Sequence, residues 1–150
     1  FALAVVYPQA GNIGGGGFLV LRSLEGYETS IDFRETAPRL SSKNMYLDNE
    51  GNVIAELSTL GHLASGVPGS VAGLLYALEK YGTMPREKVL SYAINLAEKG
   101  FKINYDLANS INNNRNDFDK FEGSSKIFGK KFRQNELFIQ NVYKGKGWIL

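Results

Sequence analysis

The sequence predicts an α+β fold, and two observations support that prediction. Two strand-like stretches lie close together near the start of the chain and predict a β-hairpin at about 17–34. Two amphipathic stretches follow, each between a proline and a glycine, and predict an αα-hairpin at about 68–100. A chain of 150 residues is long enough for one domain with a sizeable core, so we expect no internal boundary within 1–150.

The two predicted strands differ in their patterns. The first follows four consecutive glycines at 14–17 and is apolar throughout 18–21, which is typical of a central strand covered on both faces. The second strand alternates, so Asp32 and Arg34 are expected on one face, two residues apart. Pro38 is expected to end this strand.

Proline and glycine mark the ends of the two predicted helices. Pro68 and Pro85 suit the first turns, and Gly82 and Gly100 suit the ends. The residues expected to face the core are Val71, Leu74, Leu75 and Leu78 in the first helix, and Leu90, Ala93, Ile94 and Ala97 in the second.

A third helix is predicted from Asn104, as its N-terminal cap, to about Asn112, with Leu107 and Ile111 facing inward. Residues 113–147 show weak periodicity and predict loops with one or two short elements. The aromatic residues in this region are expected to pack in the core rather than stack on nucleic-acid bases: Phe118, Phe121, Phe128 and Phe132.

Composition excludes several classes of function. The net charge is +2 and the basic residues are spread out, which argues against a nucleic-acid partner. The absence of cysteine excludes disulfides, thiolate metal sites and a cysteine nucleophile. No apolar run reaches the ~18 residues needed to span a bilayer, so no membrane partner is expected. His62, the single histidine, has no ligand at metal spacing and is expected to be structural.

Both ends of the chain are apolar. The first six residues, F-A-L-A-V-V, read as the second half of a helix, and the last three, W-I-L, carry large apolar side chains. Natural termini are usually exposed and polar. We therefore expect a piece truncated at both ends.

The glycines at 14–17 allow two interpretations. Successive backbone N–H groups in a glycine-rich turn can bind an anion, but the phosphate-binding motifs of this kind lead into a helix, and here a strand follows. The favoured interpretation is therefore structural: glycine permits positive φ or close packing of backbone against backbone. The G-V-P-G-S stretch at 66–70 resembles an anion-binding helix start, but close packing is again favoured.

Arg34 is the candidate ligand for an anion. Its guanidinium presents a rigid fork of donors that fits a carboxylate. Asp32, on the same face, could hold this side chain in position. Equally, Arg34 could pair with Glu35 or Asp32, or lie solvated at a strand end, and the residues alone leave these alternatives open.

Five segments carry a family resemblance. Residues 1–18, 32–38 (D-F-R-E-T-A-P), 61–73 (G-H-L-A-S-G-V-P-G-S-V-A-G), 81–85 and 96–101 resemble, in order, the large subunit of γ-glutamyltransferases. These enzymes are also called γ-glutamyltranspeptidases or glutathione hydrolases. The resemblance is specific from position 1 to about position 110 and weaker beyond it.

The resemblance implies an N-terminal-nucleophile hydrolase, of which this chain would form part of an αββα sandwich. In that family a precursor cuts itself, and the new N-terminal threonine of the small subunit attacks γ-glutamyl amides such as glutathione, with its own amine as base. The γ-glutamyl group then passes to water, an amino acid or a peptide. The four threonines here stand in no matching context, so no catalytic residue is expected in this chain and the piece alone should be inactive: Thr29, Thr36, Thr59 and Thr83.

By the same resemblance, Arg34 binds the α-carboxylate of the γ-glutamyl group, and Asp32 and Glu35 support the site. The implied partners are the γ-glutamyl substrate and the small subunit of the same precursor, with no cofactor and no metal. The implied location is periplasmic or secreted. Unpaired strand edges are expected to make the isolated piece self-associate.

Two alternatives to a glutathione-cleaving enzyme remain open from the sequence. One is an acylase of the same superfamily that acts on poly-γ-glutamate or cephalosporin side chains. The other is a binding or scaffold domain with no catalytic half.

Overall fold

The structure is a computed structural model that describes residues 1–10 and 13–138. The chain divides into two compact units: Phe1–Asn12 together with Met84–Leu150, and Ile13–Thr83. Both units combine helices with small antiparallel sheets, in agreement with the α+β class. The absence of an internal boundary stays a prediction.

The unit Ile13–Thr83 contains an antiparallel strand pair. Strands β1 (Phe18–Arg22) and β2 (Glu28–Asp32) are in register with Phe18 opposite Asp32. The connecting turn contains Gly26 at φ 86°, a conformation that favours glycine. Strand β2 ends at Asp32, earlier than the sequence predicted.

Strand β1 is not buried on both faces, and that prediction is wrong for the described structure. Phe18 and Val20 are 66% and 85% exposed, while Leu19 and Leu21 between them are half-buried. Within residues 1–10 and 13–138 the sheet consists of β1 and β2 only, so no second layer covers the outer face.

Helix α2 (Ser70–Tyr81) completes this unit, after two short 3-10 helices at Ala55–Ser58 and His62–Ala64. It packs against β2, and it ends at Gly82 as predicted. Pro68 precedes the helix rather than lying in its first turn. The four side chains predicted to face inward are half-buried: Val71, Leu74, Leu75 and Leu78.

In the other unit, helix α1 (Ala2–Val6) packs against helix α3 (Arg86–Lys99). Val5 and Ala97 are buried. The prediction that Ile94 faces the core is wrong, because this side chain is 47% exposed. Ile94 lies three positions before Ala97, which places it about 60° around the helix from the buried centre of that face.

The remainder of this unit is more helical than predicted. Strand β3 (Phe101–Lys102) pairs with β4 (Leu137–Phe138), and the elements between them are α4 (Tyr105–Asn113), α5 (Arg115–Phe118) and α6 (Glu122–Phe128). The prediction of one or two short elements after position 112 is therefore wrong, because helices this short show little periodicity. Residues 139–147 lie outside the described residues.

Helix α4 begins as predicted. The side-chain oxygen of Asn104 accepts a hydrogen bond from the Leu107 N–H at 2.8 Å, which caps the helix. Leu107 and Ile111 are buried, also as predicted. They belong to a core of six buried residues: Ile103, Leu107, Ala108, Ile111, Phe132 and Phe138.

The predicted core role of the C-terminal aromatic residues is confirmed for three of them. Phe132 is 2% exposed, and Phe118 and Phe128 pack against the same core. The Phe132 and Phe138 rings meet edge to face with centroids 5.1 Å apart. Phe121 is half-buried.

Candidate functional site

The site begins where strand β2 ends. Phe33 continues the pairing of β2 with the β1 side of the hairpin, through Gly17, the residue before β1. The Phe33 N–H donates to the Gly17 carbonyl at 2.9 Å, and the Phe33 carbonyl accepts from the Gly17 N–H at 3.4 Å. The next residue turns away, because the Arg34 N–H donates to the Asp32 carboxylate (Oδ1) at 2.9 Å. Arg34 therefore lies beyond the strand, where strand alternation no longer sets the side on which it projects.

The guanidinium of Arg34 is held along one edge. Its Nε donates to Oε2 of Glu35 at 3.2 Å, and its Cζ lies 5.8 Å from the centroid of the Phe18 ring. The side chain is 61% exposed. Among residues 1–10 and 13–138, the terminal nitrogens Nη1 and Nη2 have no hydrogen-bond partner, so a carboxylate could bind there with two parallel hydrogen bonds.

The Glu35 carboxyl is kept ionised beside this arginine. A hydrogen bond from its own backbone N–H lowers the pKa of Glu35 most, and partial desolvation opposes that effect. The charge and hydrogen bond of Arg34, and the backbone N–H of Gly16, lower the pKa further. An ionised Glu35 fixes the guanidinium through Nε but leaves its outer end open.

The three residues predicted to form the site do lie together, but with different roles. The sequence suggested that Asp32 could hold the Arg34 side chain. The structure places Asp32 on the backbone N–H of Arg34, and Glu35 on the guanidinium. The guanidinium stays near the Asp32 side of the sheet, because it lies over the ring of Phe18, the cross-strand partner of Asp32.

Glycines surround the backbone of this segment, which confirms the structural interpretation of the glycine-rich turn. A Cβ added at Gly16 would lie 2.5 Å from the Phe33 carbonyl oxygen and 2.8 Å from the Arg34 Cα. Gly69 and Gly73 of the α2 region also meet Phe33. Close packing of these glycines was predicted, but their partner, the segment that carries Arg34, was not.

Two N–H donors at the start of α2 are already bonded within the protein. The N–H groups of Gly69 and Ser70 both donate to the Gly15 carbonyl, each at 3.0 Å. Close packing, the favoured interpretation of this stretch, is therefore confirmed, and the anion-binding interpretation is wrong for these two donors.

His62 lies exposed in the second 3-10 helix. In the described part of the chain no group of three His, Cys, Asp or Glu side chains is placed to hold a metal ion. Within the same residues, every helix is too short or too polar to cross a membrane.

Comparison with known proteins identifies one family. The sequence model of the family described as gamma-glutamyltranspeptidase matches residues 1–143. The glutathione hydrolase proenzyme of Pseudomonas sp. (strain A14) is 49% identical over 144 residues, and that of Escherichia coli (strain K12) is 48% identical over 144. Each alignment covers 93% of this chain and 25% of the relative, so the chain spans about a quarter of their length.

Solved structures give the same result. The chain superposes on a crystal structure of Helicobacter pylori gamma-glutamyltranspeptidase with a TM-score of 0.89 at 47% identity, covering 93% of this chain and 41% of that one. For gamma-glutamyltranspeptidase from Pseudomonas nitroreducens the TM-score is 0.85 at 39% identity, with the same coverage. The Bacillus anthracis transpeptidase CapD is less similar, with a TM-score of 0.70 at 32% identity, over 93% of this chain and 42% of that one.

Proposed function

This chain belongs to the gamma-glutamyltranspeptidase family, and we propose that it is the N-terminal part of an enzyme that cleaves γ-glutamyl amide bonds. The substrates are glutathione and related amides, and the γ-glutamyl group passes to water, an amino acid or a peptide. The names of the relatives, glutathione hydrolase proenzyme and gamma-glutamyltranspeptidase, support this proposal.

Arg34 binds the α-carboxylate of the γ-glutamyl group in this proposal. The supporting observation is the geometry of its guanidinium, which Glu35 holds through Nε while the terminal nitrogens lack partners among the described residues. A guanidinium that is already oriented loses less freedom when a carboxylate binds to it. Asp32 contributes by fixing the turn through the Arg34 N–H.

This chain positions the substrate and does not attack it. The nucleophile is the N-terminal threonine of the small subunit, supplied by the rest of the protein, with its own amine as base. Binding the α-carboxylate at a fixed point confines the γ-carbonyl to a short range around it, which reduces the entropy lost in reaching the transition state. The chain alone is therefore inactive.

Replacing Arg34 in the full-length protein tests the proposal. Arg34→Ala removes a charge-assisted hydrogen-bonded pair that contributes ~1.5–3 kcal/mol, so KM for a γ-glutamyl anilide rises ~10- to 150-fold. Arg34→Lys keeps the charge but loses the forked pair of donors, so its KM should lie between those of the unchanged enzyme and of Arg34→Ala. Arg22→Ala is the matched control, because Arg22 is a strand arginine with an exposed ion pair to Glu28. An unchanged KM in Arg34→Ala would contradict the proposal.

The architecture proposed for the whole enzyme is the αββα sandwich, with α2 and α3 as an αα-hairpin and with the small subunit as partner. The exposed outer face of β1, with Phe18 and Val20, supports cover by a further layer in the complete protein. Without that layer the isolated chain self-associates. Light scattering after size exclusion should show this for the isolated chain, and a monomer would contradict it.

A poly-γ-glutamate or cephalosporin acylase has less support, because the more similar relatives carry the name glutathione hydrolase. Turnover of glutathione, poly-γ-glutamate and a cephalosporin side-chain amide by the full-length enzyme separates the three. A non-catalytic scaffold has less support for the same reason. The gene downstream of Leu150 decides that case, since an enzyme of this type needs a threonine that begins the small subunit.

We also propose a periplasmic or secreted location, which rests on the family alone. Fractionation of the cells that make the full-length protein tests it, and recovery in the cytoplasmic fraction would contradict it.

A further inference from the structure

We propose that Gly69, the residue just before α2, is a positioning residue for Arg34. Because Gly69 has no side chain, the Phe33 carbonyl can pack against the start of α2, and this packing sets the backbone from which the guanidinium extends. This inference rests on the proposed function, because it takes Arg34 as the ligand of the substrate carboxylate.

Gly69 is a glycine for reasons of space rather than conformation. Its backbone angles, φ −108° and ψ −13°, are open to any residue. A Cβ at this position would lie against the Phe33 carbonyl oxygen, 2.8 Å from the Phe33 carbonyl carbon and 3.3 Å from the Arg34 carbonyl oxygen. An alanine at 69 must therefore displace the backbone of 33–34.

A second glycine, Gly16, also lies close to the Phe33 carbonyl. A Cβ at Gly16 would lie 2.5 Å from the same oxygen and 2.7 Å from the Glu35 nitrogen. One turn into α2, Gly73 faces the ring of Phe33, where a Cβ would lie 2.6 Å from Cδ1. Three glycines from two distant segments thus enclose one residue, the neighbour of Arg34.

The start of α2 cannot move away freely to relieve a clash. The N–H groups of Gly69 and Ser70 are bonded to the Gly15 carbonyl. Gly17, two residues later, is bonded to Phe33 through both its N–H and its carbonyl. These bonds tie the helix start, the glycine-rich turn and Phe33 into one set of backbone contacts, so a methyl group at 69 shifts Phe33.

A shift of this kind reaches the proposed substrate contact directly. The Arg34 side chain is 61% exposed, and its Nε is bonded to Glu35, the residue that follows it in the same segment. Since both members of the ion pair are carried by the displaced backbone, the guanidinium moves with it. Misplacing a binding group by about 1 Å can cost ~100-fold in rate.

The test is a double-mutant cycle in the full-length enzyme. Gly69→Ala should raise KM for a γ-glutamyl anilide ~10-fold or more, with a smaller effect on kcat. In an Arg34→Ala background, the same substitution should change KM by less than about twofold, because the contact that it disturbs is already lost.

Gly82→Ala is the matched control. Gly82 lies at the other end of α2 with φ −83°, and a Cβ there would lie 2.5 Å from the Leu78 carbonyl oxygen, which is again a clash with backbone. The Tm of Gly82→Ala should fall about as far as that of Gly69→Ala, but its KM should be unchanged. Equal KM effects from both glycines would overturn the inference and assign the change to α2 as a whole.

Gly66→Ala covers the case in which Gly69→Ala fails to fold. A Cβ at Gly66 would lie 3.0 Å from the Glu35 Cβ and 3.3 Å from the Thr36 carbonyl oxygen, a milder contact with the same segment. It should raise KM less than Arg34→Ala does, and again only when Arg34 is present. An unchanged KM in Gly66→Ala would overturn the inference. Additive effects on KM, when Arg34→Ala is combined with either Gly69→Ala or Gly66→Ala, would also overturn it.

The proposed role of Arg34 and the positioning role of Gly69 can be disproved separately. If Arg34→Ala leaves KM unchanged, the proposed function fails and this inference fails with it. If Arg34→Ala raises KM while the glycine variants leave it unchanged, the proposed function stands and the positioning role is wrong.

Discussion

The two compact units of this chain are stabilised in different ways. The unit that includes Met84–Leu150 has a core of six buried residues, among them Ile103, Phe132 and Phe138. In Ile13–Thr83, all of which the structure describes, no large apolar side chain is buried, and the two buried residues are Ser70 and Gly73.

The difference shows how a site can be held without a core of its own. In Ile13–Thr83 the segment that carries Arg34 is fixed by backbone hydrogen bonds and by glycines that allow backbones to touch. Side-chain burial supplies stability in the other unit. Mutations that remove buried volume should therefore lower stability without changing substrate affinity, whereas mutations around Arg34 should change substrate affinity.

The largest effect is expected at Phe132. This ring is 2% exposed, and Phe132→Ala should lower local stability by ~3–5 kcal/mol through lost burial and a cavity. Hydrogen exchange of the α4 amides in the full-length protein measures the loss. Tyr105→Ala, at a residue that is 62% exposed, is the control and should have little effect. A raised KM in folded Phe132→Ala would contradict the view that this unit supplies stability and the other unit binds the substrate.

A smaller loss is expected at Asn112, which holds the backbone of Phe132 from both sides. Its Nδ2 donates to the Phe132 carbonyl and its Oδ1 accepts from the Phe132 N–H, each at 2.9 Å. Asn112→Ala leaves both groups without that partner and should cost ~1–3 kcal/mol by the same exchange measurement. Asn113→Ala, its exposed neighbour on α4, should leave exchange nearly unchanged.

The smallest effect is expected at Glu35, and it depends on pH. Because folding lowers the pKa of Glu35, its stabilising contribution is complete above the ordinary value of 4.5 and is lost as pH falls through the lowered pKa. The difference in Tm between the full-length protein and Glu35→Gln should shrink on acidification below pH 4.5. A difference that grows there would contradict the pair. Glu28→Gln, at an ion pair with side chains 74% and 65% exposed, should change Tm little at pH 7.

Local signals in the sequence predicted several elements of the fold. The cap at Asn104 fixed the start of α4, and the glycines at 82 and 100 marked the ends of α2 and α3. The burial of individual helix residues was harder to predict, because it depends on which other element packs against the helix. Ile94 fits the 3.6-residue period and is nevertheless exposed.

The sequence predicted which residues form the candidate site, but not which of their atoms contact one another. From its chemistry Arg34 was a candidate anion ligand, and the family resemblance gave it the substrate role. Glu35 and Asp32 were both possible partners, and the structure places Glu35 on the guanidinium and Asp32 on the Arg34 N–H. The contacts of Gly16, Gly69 and Gly73 with Phe33 join distant segments, and no local pattern reports such contacts.

In the proposed enzyme, Ile13–Thr83 holds Arg34 ready for the α-carboxylate of a γ-glutamyl substrate. The most direct measurement compares kcat/KM for a γ-glutamyl anilide with that for the matching anilide that lacks the α-carboxylate, in the full-length enzyme and in Arg34→Ala. We expect the full-length enzyme to prefer the carboxylate-bearing substrate ~10- to 150-fold, and Arg34→Ala to lose that preference. An undiminished preference in Arg34→Ala would contradict the claim.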